Sequence, residues 1–249
     1  TFTANQDVYT NSVYFGDADS TLVLAGADNT TSIVDVIDPA NANSQGILQF
    51  TASGTNTVKA TFGTAANAFA QFDAASASGT VAFDAESGTQ YFTAVKLAAN
   101  TGTTLVFDGG ANIHDQLTFT DNDQVVEFGA NTTLTNGVDF NGTKGTITLD
   151  ASLGNATLEG AITTSANTTS GVLNVNSSAA NTFTINDALG NSDTQRLSSV
   201  SVNGAASAVF ASDVYAQDVN FNGTGSATFD GKLNADDVSV GSTVSSVTF

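Results

Sequence analysis

The chain is 249 residues long, and 24 acidic against 5 basic residues leave it a formal charge of −19. Its cations (Lys59, Lys96, Lys144, Arg196 and Lys232) are scattered singly, which excludes a phosphate-binding patch for nucleic acid and disfavours anionic membrane surfaces. Absence of cysteine excludes a disulfide framework, a thiolate nucleophile and cysteine-ligated metal, and no apolar run reaches the ~18 residues of a helical membrane span.

With 41% hydrophobic residues, 17 of them phenylalanine, the chain is rich enough to build a packed interior. From the N-terminus onward one pattern recurs. An apolar residue, a variable residue and a second apolar residue precede a Gly, Asn or Asp cluster. The pattern ends at Phe15, Phe50, Phe62, Phe83, Phe107, Phe119, Phe128 and Phe140, then at Leu149, Ile185, Phe210, Phe221, Phe229 and Phe249. Period-two alternation predicts short half-buried strands, and the Gly/Asn/Asp clusters supply turns. Pro39, the single proline, sits in a DPANAN loop, and residues 39–45 are the one weak candidate boundary in an otherwise continuous single domain. Residues 65–77 are alanine-rich, with Phe69 and Phe72 spaced as on a helix; a strand–turn reading with small side chains is preferred there.

VDFNGTKGTITLDA from Val138 nearly repeats as VNFNGTGSATFDGK from Val219, and Asp7, Val8, Tyr9, Val13 and Phe15 echo Asp213, Val214, Tyr215, Val219 and Phe221. These echoes predict an all-β, β-solenoid or β-helix-like array of coils, with rungs of about 20 residues. Sandwich units remain the alternative. In the repeat, Val219, Phe221 and Phe229 are expected inside, with Asn222-Gly223 turning.

The stretch from Ser170 to Phe221 carries a further likeness. GVLNVN at Gly171 is followed by LGN at Leu189, LSSVSVNGAASAVF at Leu197 and DVNFNGT at Asp218. This order resembles repeats in the passenger regions of rickettsial surface antigens, which are autotransporters, over roughly a fifth of the chain. The resemblance implies an exported, surface-displayed passenger that adheres to host surfaces or coats the cell. Starting at Thr1 with no leader, the chain is expected to be a mature product or a segment of something longer.

Chemistry is sparse. His114, the sole histidine, has Asp115 beside it, but no GxSxG elbow surrounds any serine. Glu86, Glu127 and Glu159 are the only glutamates. No enzymatic activity is therefore expected, and a carbohydrate-active β-helix enzyme remains a competing reading. Calcium is the most credible ligand, because it takes clustered oxygens. The candidates are Asp17 and Asp19, Asp121 and Asp123, and Asp236 and Asp237. Seven Asn-x-Ser/Thr sequons, at Asn29, Asn131, Asn141, Asn155, Asn167, Asn176 and Asn222, are read as composition. Both termini look like uncapped strands, which suggests copies of the same chain, joined head to tail, as partners in a fibre or surface layer. The sequence thus predicts an extracellular or surface-bound structural and adhesive protein, contacting host-cell surfaces or itself.

Overall fold

The structure is a computed structural model, describing residues 1–17, 20–37, 46–51, 53–74, 78–84, 86, 88–97, 102–165 and 169–249. Strand accounts for 57% and helix for 2%, so the chain is all-β, and its parallel sheets form a β-solenoid of about ten turns. Among the described residues sheet A holds twelve strands, from Phe2–Ala4 to Ser246–Thr248, and sheet B eleven, from Val8–Tyr14 to Leu233–Val240. The chain alternates between them, and within each sheet a strand pairs with the strand one coil later. Every paired strand in both sheets is parallel. The sandwich alternative is thereby overturned, because sandwich sheets are antiparallel and their neighbours are joined by hairpins. A short sheet C, formed by Leu117–Thr118, Val138–Asp139 and Ile162–Thr163, adds a third side to the middle coils, and single bridges extend it through Leu189 to Val214.

Rungs vary in length. Val200 lies under Val219, 19 residues on, whereas Val172 lies under Ser199, 27 residues on. The strands keep register while the corners absorb the difference, as expected where loops lie on the surface and the stacked core fixes the strands. Residues 38–45, including Pro39 and the candidate boundary, lie outside the described residues. Pairing continues across them, since Thr21–Leu24 is bonded to Ile47–Phe50 and Thr30–Ser32 to Thr57–Lys59.

Inward side chains stack in columns. In sheet B, Val58, Phe83, Phe107, Phe128, Leu149, Val175, Val202 and Phe221 follow one another in register, all buried. The Phe83 and Phe107 rings are 5.1 Å apart and nearly parallel, and Phe107 and Phe128 are 5.6 Å apart. Strand spacing of about 4.8 Å brings identical rings into offset stacking contact. Residues 65–77 contain the strand Phe69–Asp73 and no helix among the described residues, as the strand–turn reading expects; 75–77 are outside the described residues. Phe69 and Phe72 both point inward because alternation breaks at Ala70 and Gln71, which are half-buried.

Two corners show why glycine is needed. A Cβ on Gly145 would lie 2.1 Å from the Phe119 ring, and one on Gly171 would lie 2.1 Å from Phe140. Each phenylalanine therefore rests on the bare backbone of a following corner, and Gly171 also has φ of +75°.

The two copies of the VxFNGT repeat occupy different sides of the coil. Val138–Asp139 belongs to sheet C, and its chain turns at Asn141-Gly142 into sheet B. Val219 lies in sheet B, and its chain passes on into Ser226–Phe229 of sheet A. The expected inward positions of Val219, Phe221 and Phe229 are observed. The expected turn at Asn222-Gly223 is not. Both residues still belong to the strand Val214–Gly223, paired with Asn203 and Gly204 of the coil before. An Asn-Gly pair whose asparagine has a neighbouring ladder to join stays extended; Asn141, with φ of +46°, turns.

Candidate functional site

Asparagine and aspartate at the coil corners do a specific job. Asp7 Oδ1 accepts the Thr30 N–H at 2.7 Å, Asp28 Oδ1 that of Thr55 at 2.7 Å, and Asp213 Oδ1 that of Lys232 at 2.9 Å. Asn131 accepts from Thr157, and Asn155 from Thr182. Each bond runs from one coil to the next and satisfies a backbone donor just before a strand or within its first three residues. Buried amides brace other corners. Gln90 accepts the Phe62 N–H at 2.9 Å and donates to the Ala60 carbonyl, and Gln124 accepts the Thr120 and Asp121 N–H groups.

The most organised polar feature is a file along the corner where sheet B turns toward sheet A. The sheet B register places Lys59, Asp84, Asp108, Gly129, Asp150, Asn176, Asn203 and Asn222 at successive coils. Its second half is an amide ladder. Asn203 Nδ2 donates to Asn176 Oδ1 at 2.9 Å, and Asn222 Nδ2 to Asn203 Oδ1 at 3.3 Å. Asp150, Ser152, Asn176 to Ser178, Asn203 and Gly204 line a shallow groove of about 320 Å3 beside it.

The first half is charged. Lys59 Nζ lies 3.9 Å from Asp84 Oδ2. Gly129 leaves a gap in the file, and a Cβ there would lie 2.8 Å from the Asp108 carbonyl. In the coil of Gly129, Glu127 stands two residues earlier, between the coils of Asp108 and Asp150. Burial, and then the charges of Asp84 and Asp150, raise the Asp108 carboxyl above its ordinary range. Burial, and then Asp150 and Asp108, do the same to Glu127.

Five of the six calcium candidates are among the described residues. Asp17 accepts from Ser20 Oγ at 3.2 Å, while Asp19 lies outside the described residues. Asp121 accepts the Asn122 N–H, and the exposed Asp123 follows on the same turn. Asp236 is bonded to Arg196 at 2.7 Å, and Asp237 pairs in register with Asp218. Among the described residues no group of three or more His, Cys, Asp or Glu side chains is placed to share one metal ion. His114 is exposed, with Nδ1 3.3 Å from Asp115 Oδ1. Of the sequon asparagines, Asn131 and Asn155 bind the next coil, Asn176 and Asn222 belong to the amide ladder, and Asn167 is outside the described residues.

The sequence reads the Gly/Asn/Asp clusters as turns and does not show that their Asx side chains bind the next coil. The signal was an Asx directly after the second apolar residue of the recurring triplet, as in VAF-Asp84, LVF-Asp108 and ITL-Asp150.

The fold and its ladders define the chain as a parallel β-solenoid. No family model, curated protein or solved structure matches it. No helix among the described residues is long and apolar enough to cross a membrane.

Proposed function

We propose that this chain is a non-enzymatic, rigid acidic scaffold displayed at a bacterial surface or in the extracellular space, where it makes adhesive or structural contacts. The observation that carries this reading is the use of its polar side chains. The Asx and Gln residues that could have formed a reactive cleft are committed to holding one coil on the next. What remains outward is a regular array of Thr, Ser and Asn at strand spacing, suited to broad contact rather than turnover. The resemblance to autotransporter passenger repeats supports the same reading, as does a net charge of −19 that favours solubility outside the cell. Beads coated with the purified 249-residue protein should bind cultured host cells above an uncoated control, and the protein should be digestible on intact bacteria that express its gene. Failure of both results would sink the proposal.

A second reading, end-on association of copies, has an observation of its own. Phe2, Tyr9 and Tyr14 are exposed at one end of the described stack, around an open concavity of about 790 Å3, and Val238, Val240 and Phe249 at the other. Each end also presents unpaired parallel strand edges, which a second copy would continue head to tail without closing into a ring. Sedimentation of the 249-residue chain should then show linear oligomers that grow with concentration and vanish when residues 245–249 are deleted. Oligomers unchanged by that deletion would remove this reading.

A further inference from the structure

The charged half of the corner file has a property that neither reading uses. Three like charges, Asp84, Asp108 and Asp150, follow the same corner, and Glu127 fills the coil that Gly129 leaves bare. Strand spacing of about 4.8 Å separates successive coils, so Asp84 and Asp108 are direct neighbours, while Asp108 and Asp150 lie two coils apart with Glu127 on the coil between them. Among the described residues, the sheet B strands from Ser53–Lys59 to Thr146–Asp150, with the residue that follows each, bring Lys59, Asp84, Asp108, Glu127 and Asp150 to this corner, with Glu86 just beyond, its N–H donating to Asp84; the sheet A strands that leave it carry Asp73, Lys96 and Glu159 at their far ends. The cation of this group, Lys59, stands at the end of the row, beside Asp84. Asp108 and Glu127 are both partly withdrawn from water, and the carboxylates beside them add to the effect of burial.

We propose that this file is an acid-responsive latch, which leaves the middle coils easier to open at neutral pH and tightens them as the medium turns acid. The direction follows from linkage. Asp108 and Glu127 bind protons more readily in the folded chain than in the unfolded one. The folded state therefore carries a penalty at pH above their raised values. That penalty is relieved as pH falls through those values toward the ordinary carboxylate range. The amide half of the file, Asn176, Asn203 and Asn222, cannot titrate and acts as an internal reference.

Thermal melts of the 249-residue protein at pH 7.5 and pH 5.0, at constant ionic strength, test this. The wild-type midpoint should rise on acidification. Glu127→Gln and Asp108→Asn should each raise the neutral midpoint by about 2–4 °C and narrow the gap between the two pH values. Asp123→Asn, an exposed acid off the file, should leave the gap intact. Hydrogen exchange on the wild type gives an independent readout. On acidification, protection corrected for intrinsic rates should grow in Thr104–Phe107, Val125–Phe128 and Thr146–Asp150 and stay level in Thr182–Ile185 and Ser207–Phe210. A gap unchanged in both file variants, a gap narrowed equally by Asp123→Asn, or uniform protection along the solenoid would overturn the proposal.

Discussion

At single positions, the fold is held by what a residue lacks as much as by what it offers. Gly171 combines φ of +75° with a Phe140 ring where its Cβ would go, whereas Gly102, at φ of +84°, has nothing within 4 Å of that point. Gly171→Ala should therefore cost about 2–5 kcal/mol, from backbone strain plus forced repacking, and Gly102→Ala only about 1–2 kcal/mol, from strain alone. Urea unfolding of the two variants checks the difference, and equal losses would mean that the ring yields freely. Asp213 tests the coil-to-coil caps. Asp213→Ala removes the acceptor for the Lys232 N–H and should cost about 1.5–3 kcal/mol, while Asp213→Asn keeps an acceptor and should recover about half of that. If Asn proves no better than Ala, the charge rather than the hydrogen bond is what matters there.

Among elements, the segment after Leu189 has the widest reach. Residues 191–195 fold back on themselves, with the Asn191 N–H donating to the Gln195 carbonyl and the Gln195 N–H to that of Ser192. From this bend Gln195 donates to the Ser165 carbonyl one coil back, and Arg196 and Asp193 reach Asp236 and Asn234 two coils ahead. Arg196 thus ties the strand Leu233–Val240 to the coils beneath it. Arg196→Ala should speed hydrogen exchange in 233–240 and leave Thr104–Phe107 unchanged. Acceleration throughout would mean that the contact supports the whole stack. Nothing in the sequence announced this clamp, because its partners lie 40 and 41 residues apart, in strands whose register is set by the core. What the sequence did make legible was alternation. Phe83, Phe107 and Phe128 each close an apolar triplet, and each is buried. Corners were less readable, since Asn141-Gly142 and Asn222-Gly223 are spelled alike and only the first turns. The acid file was hidden for the same reason. Asp84, Asp108 and Asp150 look evenly scattered until rungs of unequal length bring them onto one corner.

For the whole molecule, stability should behave as a one-dimensional sum. Each coil packs chiefly on its two neighbours, so an injury in the middle breaks the stack into two parts and an injury at an end only frays it. Phe107 is fully buried, stacked between Phe83 and Phe128, with Phe72 6.3 Å away edge-on. Phe249 stacks on Phe229 at 5.5 Å but is 73% exposed. Removing the first ring by Phe107→Ala should cost about 3–5 kcal/mol and leave a cavity that neighbouring rigid strands cannot fill. Phe249→Ser should change stability by no more than about 0.5 kcal/mol, as at an ordinary surface site. The shapes of the melts should differ as well. The wild type and Phe249→Ser should unfold in one transition, whereas Phe107→Ala should show two, because its damaged interface no longer couples the halves on either side. Calorimetry distinguishes these outcomes. A single, merely shifted transition for Phe107→Ala would mean that coupling along the solenoid outweighs the loss of one interface, and that the chain unfolds as a single cooperative unit.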